Sequence, residues 1–484
     1  MRFEADISYQ NIKRSFVWKI LERIVSQGVN LIIQIVLARI LLPEQFGSLA
    51  IMIAIVNYLG IFVQSGLGAA IIQKEDVDDM DISTLFTASI SIAMILYVIL
   101  FIFAPLISSY YNENDLVWPL RVLALGLFLN SINAIQTGIL SRRMQFKTIF
   151  FRSLFAIPIS GGVGISMAYA GFGIWALVFQ SLLNSLIVVI VMSFGKDMRI
   201  KFDFSRSRAK RLYSFSVKIL TANLVSGLHD TLRTMIIGKR YSKSELAYYD
   251  KAYAYSNYLA QIINGSISSV LLPVFSRKQN DSRKLKELAR QSCRLASFCM
   301  FPLLLGAAAV AKPLVLGLLT EKWIFSVPYL TIFCILRLPG CIMAIDKQVF
   351  YALGKSNIDL QYEIVLLCVN IIVLLSTAKY GIWEVAIGAT LVEFSGGLAI
   401  CIISSRVYAY TLKERFIDLW RASLNSVVMF IGVRILVNKI QDFSNLFQLV
   451  ICIALGVLIY AILAIITRDK SLITIRKILG EKNC

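Results

Sequence analysis

Five polar side chains, Lys19, Arg23, Ser26, Asn30 and Gln34, fall at steps of four, three, four and four within the first apolar stretch of the chain. That spacing places them on one helical face, with Glu22 and Gln27 alongside, in a stripe about 22 Å long at about 1.5 Å per residue. A later stretch repeats the pattern with Asp250, Asn257, Gln261, Asn264 and Ser268. The stretch before it carries Lys218, His229 and Arg233 on one face, and another carries Asn57 and Gln64. The chemistry on offer is binding: cations attract anions, carboxamides both donate and accept hydrogen bonds, and a cavity rich in Lys and Arg suits an anion better than a cation. A charge at the centre of a bilayer costs roughly 2.5 to 3.5 kcal/mol on insertion scales, so such residues face a cavity or each other. Four striped helices therefore predict one shared polar cavity. Competing local readings are that Lys19 and Lys218 snorkel to one surface and Arg39 and Lys239 to the other, that Asp230 and Arg233 form an i, i+3 ion pair, and that His229 makes a hydrogen-bonded helix contact.

Catalytic and cofactor signatures do not emerge from the same inspection. His229 is the only histidine of the chain. No G-x-x-x-x-G-K-[ST] run is present to cradle a nucleotide, and the longest connections, around 195–211 and 276–287, leave no room for a soluble domain. The eight cysteines include no C-x-x-C pair, so neither a disulfide nor a metal is expected. Gly66-x-Gly68 and Gly171-x-Gly173 read as helix packing or turns. Glu393, inside a late apolar stretch, fits a proton-coupled step or a hydrogen-bonded neutral acid. Arg121, Arg152, Arg337 and Arg434 lie near span ends or pair with neighbours and receive no role.

The elements that must position these residues are membrane helices. Hydrophobic residues make up 57% of the chain, charged residues 16%, and mean hydropathy is +0.72, too little polar surface for a protein covered by water. About fourteen apolar segments have spanning length, near 16–38, 48–70, 83–108, 117–140, 149–169, 174–194, 212–237, 247–272, 288–311, 325–350, 358–378, 384–404, 418–437 and 446–467. The 325–350 segment has the weakest pattern. The chain also repeats itself: Ser15-Phe16-x-x-Lys19-Ile20-Leu21 returns as Ser214-Phe215-x-x-Lys218-Ile219-Leu220, Asn57-Tyr58-Leu59 as Asn257-Tyr258-Leu259, and Gly173-Ile174-Trp175 as Gly381-Ile382-Trp383, each about 200 residues later. The expected fold is an all-α polytopic membrane protein: two six-helix bundles, 1–195 and 196–405, around a central cavity, followed by two further helices and a basic tail in 406–484. An even number of spans per half makes this a parallel repeat, with its axis along the membrane normal.

Placing both termini in the cytoplasm assigns about 31 basic residues to inside segments and about 9 to outside ones, in line with the positive-inside rule. The net charge of +20 is then mainly a topology signal, with attraction to anionic membrane lipids as a second role, and nucleic-acid binding is not expected. The polar first fifteen residues and the long, charge-interrupted segment after them predict no cleavable signal peptide. The tail carries Leu472, Ile473, Ile475, Ile478 and Leu479 among basic residues and suits an amphipathic surface helix.

Several local patterns bring a family into view. Val36-Leu37-Ala38-Arg39-Ile40 with Glu44-x-Phe46-Gly47, Ile71-Ile72-Gln73-Lys74, Asp115-Leu116-x-x-Pro119-Leu120, Leu272-Pro273-x-Phe275 and Glu321-Lys322-Trp323 resemble those of Wzx-type polysaccharide transporters, in the multidrug/oligosaccharidyl-lipid/polysaccharide exporter superfamily. The likeness runs from about residue 10 to 470. It implies a flippase, not an enzyme, that moves undecaprenyl-diphosphate-linked oligosaccharide across the bacterial cytoplasmic membrane by alternating access, for exopolysaccharide, capsule or lipopolysaccharide synthesis. It requires no cofactor, and its partners would include a polysaccharide polymerase and glycosyltransferases. On that reading Lys19, Arg23, His229 and Arg233 would meet the diphosphate, and Asn30, Asn57, Asn257, Gln261 and Asn264 the sugars.

Three other readings compete. A lipid II flippase would carry further arginines in the first span, where this chain has Gln27 and Ile33. A cation-coupled drug exporter shares the fold but prefers a less basic cavity. A membrane-embedded glycan-modifying enzyme would need a sizeable outer loop with acidic or histidine groups, and the predicted outer loops are short.

Overall fold

A computed structural model describes residues 9–64, 78–143, 145–193, 202–469 and 471–472. Among the described residues every regular element is a helix. The chain divides into two compact units, Met1–Ala247 and Tyr248–Cys484. The first contains α1 (Tyr9–Ile40), α2 (Pro43–Gln64), α3 (Asp79–Tyr110), α4 (Val117–Leu123), α5 (Gly126–Arg142), α6 (Phe146–Tyr169), α7 (Ile174–Ser193) and α8 (Arg206–Arg240). Helix α9 (Lys243–Ser276) begins at its end and supplies the first helix of the second unit. There follow α10 (Ser282–Ala309), α11 (Ala311–Leu318), α12 (Ser326–Leu336), α13 (Gly340–Ala352), α14 (Ser356–Thr377), α15 (Ile382–Tyr408), α16 (Leu412–Lys439) and α17 (Asn445–Ile466).

The predicted apolar segments fall on these helices, 117–140 and 325–350 on two each, while the end of 48–70 and residue 194 lie outside the described residues. Eleven described segments are long and apolar enough to cross a membrane, counting α4 with α5 and α12 with α13 as single spans. The predicted spans outside that set are α1, of which only Val25–Ile40 is apolar, and α8 and α9. These are three of the four helices that carry polar stripes. Their length is ample, 32, 35 and 34 residues, so polarity alone sets them apart.

The order of elements repeats. Helices α1 and α2 are joined by two residues, Leu41 and Leu42, and α8 and α9 by Tyr241 and Ser242. Each link is fixed in the same way: the Leu42 backbone N–H donates to Gln45 Oε1 at 3.0 Å, and that of Ser242 to Glu245 Oε2 at 3.0 Å. In each predicted half, 1–195 and 196–405, the fourth span follows a single 3₁₀ turn, Asn114–Leu116 or Glu321–Trp323, and is interrupted, early between α4 and α5 and midway between α12 and α13. The 325–350 segment reads poorly in sequence because Arg337, Leu338 and Pro339 interrupt it. Gly171 and Gly173, with φ of 82° and 58°, form the turn from α6 to α7, a backbone that side chains with a Cβ avoid.

In the first unit α6 presses on α1, where a Cβ on Gly161 would lie 2.2 Å from Ile33 Cδ1. Helix α3 starts with a capping box between Asp78 and Asp81, and both carboxylates pair with Arg208 at the start of α8. In the second unit α16 and α17 pack on α10 through Leu305, Ala309, Met429, Val433, Cys452 and Tyr460. Charges bind the N-terminal ends of α10 and α16: Arg290 Nε meets Asp418 Oδ2 at 2.7 Å and Lys286 Nζ meets Glu414 Oε1 at 2.8 Å. Burial raises the pKa of the Tyr410 phenol, which stays protonated and donates to Asp418 Oδ2 at 2.9 Å.

A polar pocket at the break of the fourth span

The second unit contains a cavity of about 260 Å³. Three elements form it. Helix α9 contributes Asn257, Ala260, Gln261 and Asn264, which its i, i+4, i+7 spacing puts on one face. The broken span contributes Arg337 at the end of α12 and then Gly340, Met343, Ala344, Lys347, Gln348 and Tyr351 along one face of α13. Helix α15 contributes Glu393. Asn257 to Asn264, Arg337 with Gly340, and Glu393 come from the middle of their helices or span, the depth at which discontinuous helices bind substrates in many transporters, and Lys347 to Tyr351 run on toward the end of α13.

Local structure accounts for the opening. Pro339 has no N–H to continue the helix, and the Gly340 N–H donates to the Arg337 carbonyl at 3.1 Å, a tight turn between two helical segments. Helix α15 closes on that turn, since a Cβ on Gly397 would lie 2.8 Å from Pro339 Cβ. A Cβ on Gly340 would lie 3.4 Å from Asn264 Nδ2, so α13 approaches the α9 amides closely here.

The charges lining the pocket differ in their partners. Lys347 pairs with Glu363 of α14, and with Asp359 Oδ1 at 3.6 Å, while the Tyr351 hydroxyl also donates to Asp359. The Arg337 guanidinium lies 4.4 Å from the centroid of the Tyr253 ring, and Phe333 packs edge-on against that ring at 5.4 Å. Among the described residues Arg337 has no carboxylate at ion-pair distance, and its buried Nε has no hydrogen-bond partner. The buried Oδ1 of Asn264 likewise has none among the described residues. Buried polar atoms in native proteins are normally satisfied, so these two invite a ligand.

The structure thus gathers Asn257, Gln261 and Asn264 from the predicted set into one pocket. Its other members belong to the first unit. Lys19 and Arg23 lie on α1 with side chains outside the described residues, Asn30 is half-buried on α1, and Asn57 is exposed on α2. On α8, Arg233 is buried and its Nη1 meets Asp230 Oδ1 at 2.7 Å, and His229 Nδ1 lies 3.5 Å from the same oxygen. The local ion pair considered from sequence is therefore present. Arg152, given no role, is buried on α6 and donates to Asn133 Oδ1 at 3.0 Å and Thr137 Oγ1 at 3.1 Å on α5. The resemblance motif Ile71 to Lys74 and most of the amphipathic tail lie outside the described residues.

Sequence reasoning missed Arg337, Lys347 and Gln348. The signal was an Arg-Leu-Pro-Gly run followed by Asp346-Lys347-Gln348 inside a stretch otherwise apolar enough to span.

A polytopic helical protein with internally repeated bundles and a polar pocket at mid-span is a transporter in architecture. Among solved structures the fold is similar to that of the lipid II flippase MurJ in an inward closed conformation, with a TM-score of 0.74 over 96% of this chain and 99% of that one at 16% identity. Residues 36–328 match the polysaccharide biosynthesis protein family, and the chain belongs to that family. Its relatives include the succinoglycan biosynthesis transport protein ExoT of Rhizobium meliloti (strain 1021), 22% identical over 96% of this chain and 95% of that protein. The lipopolysaccharide biosynthesis protein WzxC of Escherichia coli (strain K12) is 24% identical over 72% of this chain and 70% of its own length.

Proposed function

We propose that this chain is a flippase that carries a lipid-linked oligosaccharide across the bacterial cytoplasmic membrane for export of a surface polysaccharide, by alternating access and without covalent chemistry. The observation that carries the reading is the polar pocket at the helix break, built by a polar helix, a broken helix and a half-buried acid within a family of polysaccharide biosynthesis proteins. At roughly 2.5 to 3.5 kcal/mol per central charge, Arg337, which has no carboxylate at ion-pair distance among the described residues, would be costly in a purely structural role. Amides and cations at that depth replace the water that a glycan and a diphosphate lose on leaving the surface.

Lys19, Arg23, His229 and Arg233 serve as the cations for the diphosphate on this reading, and Asn30, Asn57, Asn257, Gln261 and Asn264 as partners for the glycan. The polyprenyl tail stays in lipid. Both termini face the cytoplasm, the halves that alternate are 1–195 and 196–405, and a polymerase and glycosyltransferases act before and after the chain. Moving negative charge outward across an inside-negative membrane is favoured by about 2.3 kcal/mol per charge per 100 mV, so the potential contributes to the driving force.

Depletion of the chain in its host tests the assignment. Lipid-linked oligosaccharide should accumulate on the inner leaflet, out of reach of an impermeant glycan-modifying reagent, while surface polysaccharide falls. Accumulation on the outer leaflet, or a block before the lipid-linked unit is made, would overturn it.

A further inference from the structure

We infer that the pocket of the second unit holds a single neutral sugar ring of the carried glycan and sets which glycans are accepted, with Arg337 and Asn264 reading adjacent oxygens of that ring. The inference rests on the flippase reading and assigns the sugar specificity of that path to one cavity.

Size suits one ring. At about 260 Å³ the cavity falls just below the roughly 300 to 1,000 Å³ of drug-sized ligand sites, and because it is open the rest of a glycan can extend out of it. Chemistry narrows the rest. Carboxamides at Asn257, Gln261, Asn264 and Gln348 each present donors and an acceptor on a flat group, and Arg337 adds a donor fork and Glu393 an acceptor. A ring hydroxyl also both donates and accepts, so a polyhydroxylated ring can satisfy the whole set. A prenyl chain has no polar groups and would leave the Arg337 and Asn264 orphan atoms unmet.

An anion fits less well. Lys347 already faces Asp359 and Glu363, so it is not a spare cation. Glu393 lines the same cavity and would repel a diphosphate or a carboxylate. The two buried orphan atoms are of opposite kind, a donor at Arg337 Nε and an acceptor at Asn264 Oδ1. A diphosphate offers only acceptors and would leave the Asn264 oxygen unpaired, whereas a hydroxyl serves it. Packing on Tyr253 holds the guanidinium in place before the ligand arrives, which lowers the entropy lost on binding.

The test is saturation-transfer NMR on the purified full chain in detergent, with methyl glycosides of the common neutral hexoses as probes and methyl glucuronide and inorganic pyrophosphate as comparators. At least one hexoside should give saturable transfer that pyrophosphate does not displace. Its affinity should drop tenfold or more in Asn264→Leu and Arg337→Gln at unchanged thermal unfolding, with Asn257→Leu as a further variant should either fold poorly. No transfer to any hexoside, tighter binding of the glucuronide, displacement by pyrophosphate, or indifference to the pocket variants would overturn the inference. Lipid-linked oligosaccharide flipping is measured on the same preparations. Flipping without sugar contact removes only the pocket assignment, and sugar contact without flipping removes the flippase reading.

Discussion

Asp346 and Arg415 form an ion pair between α13 and α16, with Arg415 Nη2 2.8 Å from Asp346 Oδ1 and side chains 4% and 0% exposed for Arg415 and Asp346. The Tyr408 hydroxyl donates to the same Asp346 oxygen, and the guanidinium lies 4.1 Å from the centroid of the Tyr410 ring. Asp346→Asn removes the countercharge and strands a guanidinium that cannot shed its proton. The expected loss is about 3 to 5 kcal/mol, the range for breaking a buried pair from one side. Arg415→Met strands a carboxylate instead, which can take up a proton, so its loss should be smaller. The double variant Asp346→Asn/Arg415→Met removes both charges with their desolvation costs and should lie within about 1 kcal/mol of wild type. Unfolding of the four purified proteins in detergent, by heat and by SDS titration, completes the cycle. Additive losses, or Asp346→Asn indistinguishable from wild type, would refute the reasoning. Neither residue lines the pocket, so the double variant should retain transport.

Three further outcomes follow from contacts elsewhere. A Cβ on Gly47 would lie 2.0 Å from the Lys243 carbonyl oxygen, so Gly47→Ala should lower stability by about 1 to 3 kcal/mol, measurable as a lower unfolding temperature. Asp78 is held below its ordinary 3.8 chiefly by the hydrogen bond from Arg208. The contribution of that pair is therefore intact above pH 4 or so and is lost as pH falls through the depressed value, and with side chains 54% and 37% exposed solvent screening keeps it small. Arg208→Gln should remove that acid-side slope from a pH series of unfolding midpoints and also lower the neutral plateau, because it takes the cation from the buried Asp81 carboxylate. Gly397→Val pushes against Pro339 at the break of the fourth span, and should slow flipping more than Gly432→Val on α16, whose Cβ has an ordinary 3.5 Å contact with Ile459. Equal effects would detach the break from transport.

Helical spacing made α1, α8 and α9 stand out in the sequence, because polar residues at steps of three and four in apolar surroundings leave a periodic trace. The same trace led to Asn257, Gln261 and Asn264. The opposite wall of the pocket left none. At Arg337-Leu338-Pro339-Gly340 the helix breaks and periodicity stops, so an arginine at mid-span reads as one near a span end. Lys347 is neutralised by Asp359 and Glu363 from the next helix, a pairing that only tertiary packing creates. Asp346 stands one residue away and points its carboxylate to Arg415, 69 residues later. The Asp230–Arg233 contact, by contrast, is local and was readable from its spacing of three.

Transport itself remains the most direct test. A labelled undecaprenyl-diphosphate oligosaccharide reconstituted with the purified chain in proteoliposomes should become accessible to an impermeant reagent on the opposite leaflet. That transfer should be fast in wild type and lost in an Asn257→Leu/Gln261→Leu/Asn264→Leu variant that unfolds at the wild-type temperature. Wild-type protein that leaves the label on its original leaflet, across neutral and acidic oligosaccharides and with a membrane potential applied, would contradict the account.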